Sequence, residues 1–565
     1  MADPLGDVST IKRATKEATR ERKPQANGRA GANLKALLKK SVEREIAKPH
    51  QIFVDHDLPR YVDEAIAVLR EDETLFSRAG SLVRVRRTGA PRKRAKVRRE
   101  PGSLVIEVYP VASMREQLIS RVFFFRIEAE DDPVAKKLKQ VPCGMPSDLV
   151  STLRARAEWP GVRDLTGIVT APTLRSDGTI LQTAGYDGDS ALFYDPSGES
   201  FPHVRETPTR DDARAALERL FDVVVDVPFS KPEHKAGWLA LVLTAIGRPW
   251  IDGCVPLFAI DANVRGAGKS LVADVAAIIS SGHVAPRMAQ PESDAEARKT
   301  ITSLLLEGER LCLIDNVSRP LGSASLDALL TSEIWKDRVL GANKVVTLPN
   351  TCTWMSTGNN LSFAGDTIRR TLHIRLDSPL ENPEAREGFR YPDLRTHVRQ
   401  YRGELAAAAL TILRAYVVAG MPTTVKLWGS FEDWSKKIAA TCVWLGLPDP
   451  QVTRIELEAA GDTTKAALST ILAFWPRLFP DGSTIKNAIQ LLYPKVDRAE
   501  QRAPDGWDPL REALEEIASS MPGRPPGARQ LGYEFRRAKK RVVGGRMLDC
   551  IADRTKTSTW VVRER

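Results

Sequence analysis

Residues 256–270 read PLFAIDANVRGAGKS. An apolar run, Leu257–Ile260, enters a glycine-rich turn that closes on Gly268, Lys269 and Ser270. Residue types in this order suit one chemistry, the binding of a nucleoside triphosphate. The turn Asn263–Gly268 offers backbone N–H groups to a β-phosphate, and Gly266 and Gly268 let the backbone come close. Lys269 reaches toward the β- and γ-phosphates, and Ser270 ligates Mg²⁺. A helix expected over Leu271–Ser280 turns its positive end to the same phosphates. The usual pattern begins with glycine. Here Asn263 takes that place, and Asn tolerates the left-handed conformation better than most residues.

Three further groups follow. About 45 residues past Lys269, the run LCLIDNV ends four apolar residues in Asp315, the pattern of a buried strand presenting a carboxylate. That carboxylate would hold Mg²⁺ through water, beside Ser270. Next comes TCTWMSTGNN, residues 351–360, a third apolar strand ending in amides. Asn359 or Asn360 would orient the water that attacks the γ-phosphate. Then GDTIRR brings Arg369 and Arg370 to the end of a short helix, just before a last strand, Thr371–Leu376.

These groups converge only if parallel strands carry them. From Pro256 to Asp377 strands alternate with helices, which predicts a mainly parallel sheet with its ligand at the carboxyl ends. Between the second and third strands, WKDRVLGANKVVTLP alternates about a tight turn at Gly341–Lys344 and reads as a β-hairpin. Lys344 at its tip and Arg338 at its base are candidate DNA-phosphate contacts.

The order of these parts resembles an AAA+ ATPase core. Asn263–Ser270 matches Walker A, Leu311–Asp315 Walker B, Asn359 or Asn360 sensor-1, and Arg369 or Arg370 an arginine finger. The TGNN…GD…RR…IRLD run is similar to replicative helicases and primase-helicases of phages, plasmids and integrated elements, of superfamily 3-like and minichromosome-maintenance-like types. The resemblance covers roughly residues 245–378. It implies ATP and Mg²⁺ as ligands, a ring that is a homo-hexamer, and an arginine from one subunit completing its neighbour's site. It also implies that the hairpin grips single-stranded DNA in the pore. One departure matters: Walker B in this superfamily ends Asp-Glu, and here Asn316 follows Asp315. An amide orients water but cannot accept its proton, so hydrolysis is slow or another carboxylate serves; Glu307, Glu333 and Asp366 are candidates.

Charge distribution points the same way. The net charge is +11, with about +10 in residues 1–100, about +8 in 524–565 and about −7 between them. Basic ends on a near-neutral body suggest nucleic-acid-binding appendages. Residues 1–50 are expected to be a basic, disordered tail with a short helix over Asn33–Ile46. Residues 51–235 read as an α+β region around a basic hairpin, APRKRAKVRRE, with Arg92, Lys93, Arg94, Lys96, Arg98 and Arg99. The ATPase core is placed at 236–378, a helical lid at 379–500 and a DNA-binding module at 501–565. In that last module GARQLGYEFRRAKKR puts Leu531, Phe535 and Val542 on one helical face and Arg529, Arg536, Arg537, Lys539, Lys540 and Arg541 over much of the rest. A helix precedes it and a hairpin follows, the outline of a winged helix that would bind duplex DNA.

The six cysteines are scattered without a C-x-x-C pair, and the seven histidines do not cluster with them, so neither a zinc site nor a disulfide framework is expected. No signal-peptide pattern and no bilayer-length apolar run are present, which predicts a cytoplasmic protein with no membrane partner. No primase centre is legible in residues 1–235. The expected fold is multidomain α/β: a parallel-sheet AAA+ core with helical lid, an α+β N-terminal region and a C-terminal winged helix. The expected function is an ATP-dependent DNA helicase or translocase in replication of a mobile element, with a primase or initiator as loading partner. The rival readings are an ATP-switched DNA-binding initiator or regulator with little hydrolysis, and a defence or partition ATPase.

Overall fold

The computed structural model describes residues 48–89, 101–129, 138–156, 158–338, 345–380, 382–461, 463–494, 506–518, 523–552 and 558–564; the side chains of 459–465, 537 and 552 are also left aside. The expected Asn33–Ile46 helix and the cations Arg92–Arg99 lie outside the described residues. The chain forms two compact units.

The first unit spans the described residues up to Arg87 and from Leu104 to Thr166. It holds β1 (His50–Phe53), α1 (Leu58–Leu69), β2 (Leu75–Arg78), β3 (Ser81–Arg87), β4 (Leu104–Val108), α2 (Val111–Arg121), β5 (Val122–Ala129), β6 (Leu138–Pro142) and α3 (Leu149–Ala155). Two three-stranded sheets result, β1-β5-β6 and β2-β3-β4. Tyr61, Val62, Ala65, Ile66 and Leu69 recur at helical spacing along α1 and are buried there with Met114, Leu118 and Phe124. Arg84 and Arg86 both pair with Glu107 across β3 and β4.

The second unit opens with short strands β7 (Gly167–Val169), β8 (Thr173–Leu174), β9 (Ile180–Leu181), β10 (Gly185–Asp187) and β11 (Leu192–Tyr194). The β8–β9 pair is the hairpin that Asp177-Gly178 predicts, with Gly178 at φ 81. Helix α4 (Arg210–Val223) starts at a capping box between Thr209 and Asp212. Helix α5 (Pro232–Gly247) is apolar nearly all round and is buried accordingly.

The main parallel sheet and its connections follow: β12 (Leu257–Ala262), α6 (Lys269–Ser281), β13 (Arg287–Met288), α7 (Asp294–Leu306), β14 (Leu311–Val317), α8 (Ala324–Thr331), the hairpin β15 (Ile334–Arg338) and β16 (Val345–Pro349), β17 (Thr353–Asn359) and β18 (Thr371–Leu376). Five strands lie in the order β13-β14-β17-β12-β18, every pair parallel. All six residues of β12 are buried, as a central strand covered on both faces requires. Helix α5 lies against β18 so closely that a Cβ on Gly237 would meet Leu372 at 3.2 Å.

The longer helices that follow are α9 (Leu394–Gln400), α10 (Arg402–Val418), α11 (Val452–Gly461), α12 (Thr463–Leu478), α13 (Ile485–Leu492), α14 (Asp508–Ile517) and α15 (Ala528–Ala538), with short helical turns at Glu432–Trp434, Ser435–Ala439 and Ala440–Trp444, and the last strands are β19 (Val542–Val543), β20 (Arg546–Ala552) and β21 (Ser558–Glu564). At the start of α10 the buried Arg402 donates to Ile278 O and caps the negative end of α6. One core runs from Ala467 to Trp560, so α12 and α13, read from sequence as part of the lid stretch, pack with the C-terminal strands. Trp475 Nε1 donates to Trp560 O, and Phe535 stacks edge-on against both rings. Among the described residues no helix is long and apolar enough to cross a membrane.

Candidate functional site

The turn after β12 is shaped by Gly266 and Gly268, at φ 75 and φ 89. Only glycine adopts these angles without strain, and Gly268 caps α6 so that the helix begins at Lys269. The backbone of Asn263 is not left-handed, which corrects the expectation that Asn stands there for its conformational tolerance. Its side chain does a different job. Asn263 Nδ2 donates to Ser378 O at 2.9 Å, and Ser378 N donates back to Asn263 Oδ1 at 3.0 Å. This amide pair pins the turn to the segment leaving β18.

Three other elements, α6, β14 and β17, bring their groups to the same place. Lys269 Nζ donates to Asn359 Oδ1 at 2.6 Å. Ser270 Oγ lies 3.1 Å from Asp315 Oδ1, and Thr357 Oγ1 donates to the same oxygen at 2.6 Å. Burial lowers the Lys269 pKa, and the charges of Asp261 and Asp315 oppose that. Of the two amides at the end of β17, Asn359 faces Lys269, whereas Asn360 at φ 48 takes Arg375 Nη2 on its Oδ1 at 3.1 Å. That excludes Asn360 from the lysine's cluster in this structure.

Strand β14 does not stop at Asp315. Its register against β17 shifts between Ile314 and Val317, and Asn316 sits at φ 56 in the bulge. The bulge re-aims Asp315 toward Ser270. Asn316 N donates to Thr357 Oγ1 at 3.0 Å while its side chain is exposed.

A second tier lies beneath. Asp274, one turn along α6 from Ser270, is fully buried. Arg287 Nη2 contacts its two oxygens at 2.7 and 2.6 Å, and Arg395 of α9 reaches it at 2.8 Å. Arg287 Nη1 lies 3.7 Å from Asp315 Oδ2, so one guanidinium braces both Asp274 and the carboxylate facing Ser270. On the neighbouring strands Asp261 is buried against His373 and Arg375. Burial alone would raise its pKa, but hydrogen bonds from His373 and Leu361 N, with the His373 and Arg375 charges, hold it low. Sequence reading missed Asp261, Asp274, Arg287 and the role of Thr357. A carboxylate inside the apolar run of β12 was a legible signal for Asp261; Arg287 gave none.

Beside the turn opens a cavity of about 500 Å³ walled by Gly266, Leu271, Val227, Leu380, Phe389 and Tyr391. Glu384 roofs it so closely that a Cβ on Gly266 would lie 2.8 Å from Glu384 Oε2.

The two arginines before β18 part company. Arg370 Nη1 sits 3.0 Å from Asp327 Oδ1, in ion-pair range though out of line for a hydrogen bond, and Nη2 is 3.8 Å from Asp366. Arg369 is exposed and forms no ion pair among the described residues, while its carbonyl accepts from Trp428 Nε1. The β15–β16 hairpin is antiparallel with Arg338 opposite Val345, and it is anchored on α7 through Trp335 Nε1 to Thr302 Oγ1 and Asp337 to Arg298. Lys344 lies outside the described residues.

In the C-terminal module Leu531, Phe535 and Ala538 of α15 are buried. Arg529, Arg536 and Lys540 are exposed, as is Tyr533 at 60% between them. The Arg537 side chain is outside the description. Lys539 and Arg563 both pair with Asp549, so part of the positive charge is spent within the module.

No protein-family model matches the chain, and no curated protein matches it. Among solved structures it is similar to the apo A form of the NrS-1 C-terminal region, with 13% identity over 77% of this chain and 96% of that one and a TM-score of 0.34. It is also similar to the SCCmec type IV Cch active helicase, with 10% identity over 87% of this chain and 97% of that one and a TM-score of 0.31. The JCV helicase follows, with 13% identity over 46% of this chain and 73% of that one and a TM-score of 0.19. At such scores these likenesses decide nothing about the site, which stands on its own geometry.

Proposed function

We propose that the chain is an ATP-dependent DNA translocase or helicase that works as a ring in replication of a mobile element. The carrying observation is the convergence of Lys269, Ser270, Asp315, Thr357 and Asn359 at the carboxyl ends of three adjacent parallel strands. The glycine turn binds the phosphates through its N–H groups and Lys269 supplies a positive charge. The apolar cavity beside Gly266 takes the base and ribose. Ser270 and Asp315 form an all-oxygen donor pair, with no cluster of three metal-ligating side chains among the described residues. That donor set fits Mg²⁺, which is usually held by one or two protein oxygens and the substrate's phosphates. Bound there, Mg²⁺ would neutralise charge developing on the phosphoryl oxygens.

Asn359 holds Lys269 in line and orients the attacking water. Arg369, exposed and without an ion-pair partner among the described residues, is the arginine offered to a neighbouring subunit; Arg370 is committed to Asp327 and Asp366. The β15–β16 hairpin grips single-stranded DNA in the pore. The exposed face of α15, with Arg529, Arg536 and Lys540, docks on duplex DNA, and the strands after it act as the wing.

One observation favours a second reading. Asn316 offers no proton acceptor, and of the carboxylates named from sequence Asp366 pairs with Arg370 and Glu333 lies beside Gly253. A triphosphate-switched DNA-binding initiator with little turnover follows from that. A DNA-stimulated ATPase assay on the wild-type chain and Lys269→Ala separates the two. Turnover that rises with DNA and vanishes in the variant supports the translocase; tight nucleotide binding without turnover supports the switch.

A further inference from the structure

Asp261 is a buried carboxylate, 2% exposed, with four polar neighbours. Its Oδ1 accepts from Ala262 N at 2.8 Å and from Leu361 N at 3.1 Å. Its Oδ2 accepts from Arg375 Nη1 at 2.6 Å and lies 3.3 Å from His373 Nε2. Asn359 pairs in register with Ala262, and side chains alternate along a strand, so Asp261 and Asn359 leave the sheet on opposite faces. Asp261 therefore cannot touch what Lys269 and Asn359 hold. It touches the turn that follows Asn359.

That turn is tight and fixed at several points. Asn360 is left-handed at φ 48, a conformation Asn tolerates better than most residues. Gly358 admits no side chain, since a Cβ would lie 2.2 Å from Leu361 Cδ2. Asn360 N donates to Ala262 O. Leu361 N is held by Asp261, and the Asn360 side chain is held by Arg375, which Asp261 itself anchors.

We propose that Asp261 is the positioning residue of the Asn359 amide: it clamps residues 360–361 directly and through Arg375, and so keeps Asn359 on Lys269. This rests on the reading of Lys269 and Asn359 as groups of the triphosphate site. Without the carboxylate, Leu361 N–H loses its acceptor and Arg375 keeps Asp377 as its carboxylate partner, 2.9 Å from its Nε, so its guanidinium is free to swing off Asn360. Among the described residues no hydrogen bond joins Asp261 or Arg375 to the glycine turn, so nucleotide affinity changes little while the chemical step slows; the Asp261 charge also acts on Lys269, and Arg375→Gln, which keeps that charge, isolates the clamp.

The test uses the full chain with Asp261→Ala, Asp261→Asn, Arg375→Gln and Lys269→Ala. Amide hydrogen exchange is followed over residues 356–364, with MgATP turnover and the Kd of a fluorescent ATP analogue. Exchange in that segment is expected to quicken by about tenfold in Asp261→Ala and Arg375→Gln. Asp261→Asn, whose amide oxygen still accepts from Leu361, should fall between them and wild type. Lys269→Ala leaves the segment protected. Turnover by Asp261→Ala should drop by about tenfold with the analogue's Kd within about threefold, the split that marks an interaction used in the chemical step alone. Arg375→Gln alters a partly exposed side chain and keeps the test decisive if Asp261→Ala does not fold. Unchanged protection in both variants, or a Kd that weakens in step with turnover, overturns the proposal alone. Lost protection in a chain whose wild type turns over no ATP overturns the reading of the site, and the positioning role with it.

Discussion

The two charged surfaces of the second unit are built in opposite ways. The proposed triphosphate site draws Lys269, Asp315, Thr357 and Asn359 from one helix and two strands, and its contacts join residues as far apart as Lys269 and Asn359. Nearly every charge in it has a partner: Asp274 holds two arginines, and Asp261 holds Arg375 beside His373. The α15 surface draws its cations from one helix and its exit, and Arg529, Arg536 and Lys540 stand exposed. A convergent, half-buried site should fail as a unit when one member is lost, and salt should matter little to it. A row of exposed cations should lose affinity in small steps that salt screens.

The sharpest way to break the contrast is Lys269→Ala. Turnover is expected to fall by about 10³-fold, the loss typical of a charge aimed at a developing anion. Phosphate release measures it, and duplex binding at α15 should stay unchanged. Were both to fall together, the two surfaces would not be separable.

Asp274→Ala removes the shared partner of two guanidinium groups. Breaking a buried pair costs about 3–5 kcal/mol, and the lower end applies because Arg287 and Arg395 both reach solvent. Urea unfolding of the variant against wild type gives the value. A change near zero would mean that the tier beneath the site carries no load.

Asn316→Glu tests the missing proton acceptor. If the site hydrolyses ATP slowly for that reason, turnover should rise by about tenfold or more. The left-handed backbone at Asn316 makes glutamate about 1 kcal/mol less favourable there. Unchanged turnover at intact nucleotide binding would point to an acceptor outside Walker B.

Arg536→Ala should weaken duplex binding a few-fold and lower the slope of log K against log salt by about one. Titrations at several salt concentrations resolve this. Loss of all binding would place α15 with the convergent kind of site.

The smallest effect concerns pH. Burial lowers the pKa of His234, which also contacts His373 O. The unfolded chain then binds a proton that the folded chain refuses, so the stability is present above the unfolded pKa of about 6.5 and is lost as pH falls toward the folded value. His234→Gln should flatten unfolding midpoints across that acid range.

Much of the site was legible in the sequence because its groups terminate apolar runs. LFAIDA, LCLIDNV and TWMSTGN announce buried strands, and in an α/β sheet the ends of such strands meet. What escaped were groups whose role depends on a neighbour strand. Asn263 looked like a glycine substitute and is a hook for Ser378. Asn359 and Asn360 looked interchangeable until the turn sent one to Lys269 and the other to Arg375. Arg369 and Arg370 likewise separate only when Asp327 is seen to claim Arg370. The α15 face was legible as far as the helix runs, since helical periodicity sorts Leu531 and Phe535 from Arg529 and Arg536; but the helix ends at Ala538, so Val542, expected on the same apolar face, lies exposed in β19, and the period gave no notice that Tyr533 stands among the cations.

By itself, then, the sequence determined which apolar runs become strands, which turn is glycine-rich and which helix face is basic, because those follow from local sterics and period. Only the tertiary structure decided which carboxylate braces which arginine. Register and crossing of distant strands set those pairings, and a shift of one residue along β14 or β17 would assign Asp315, Thr357 and Asn359 to different neighbours.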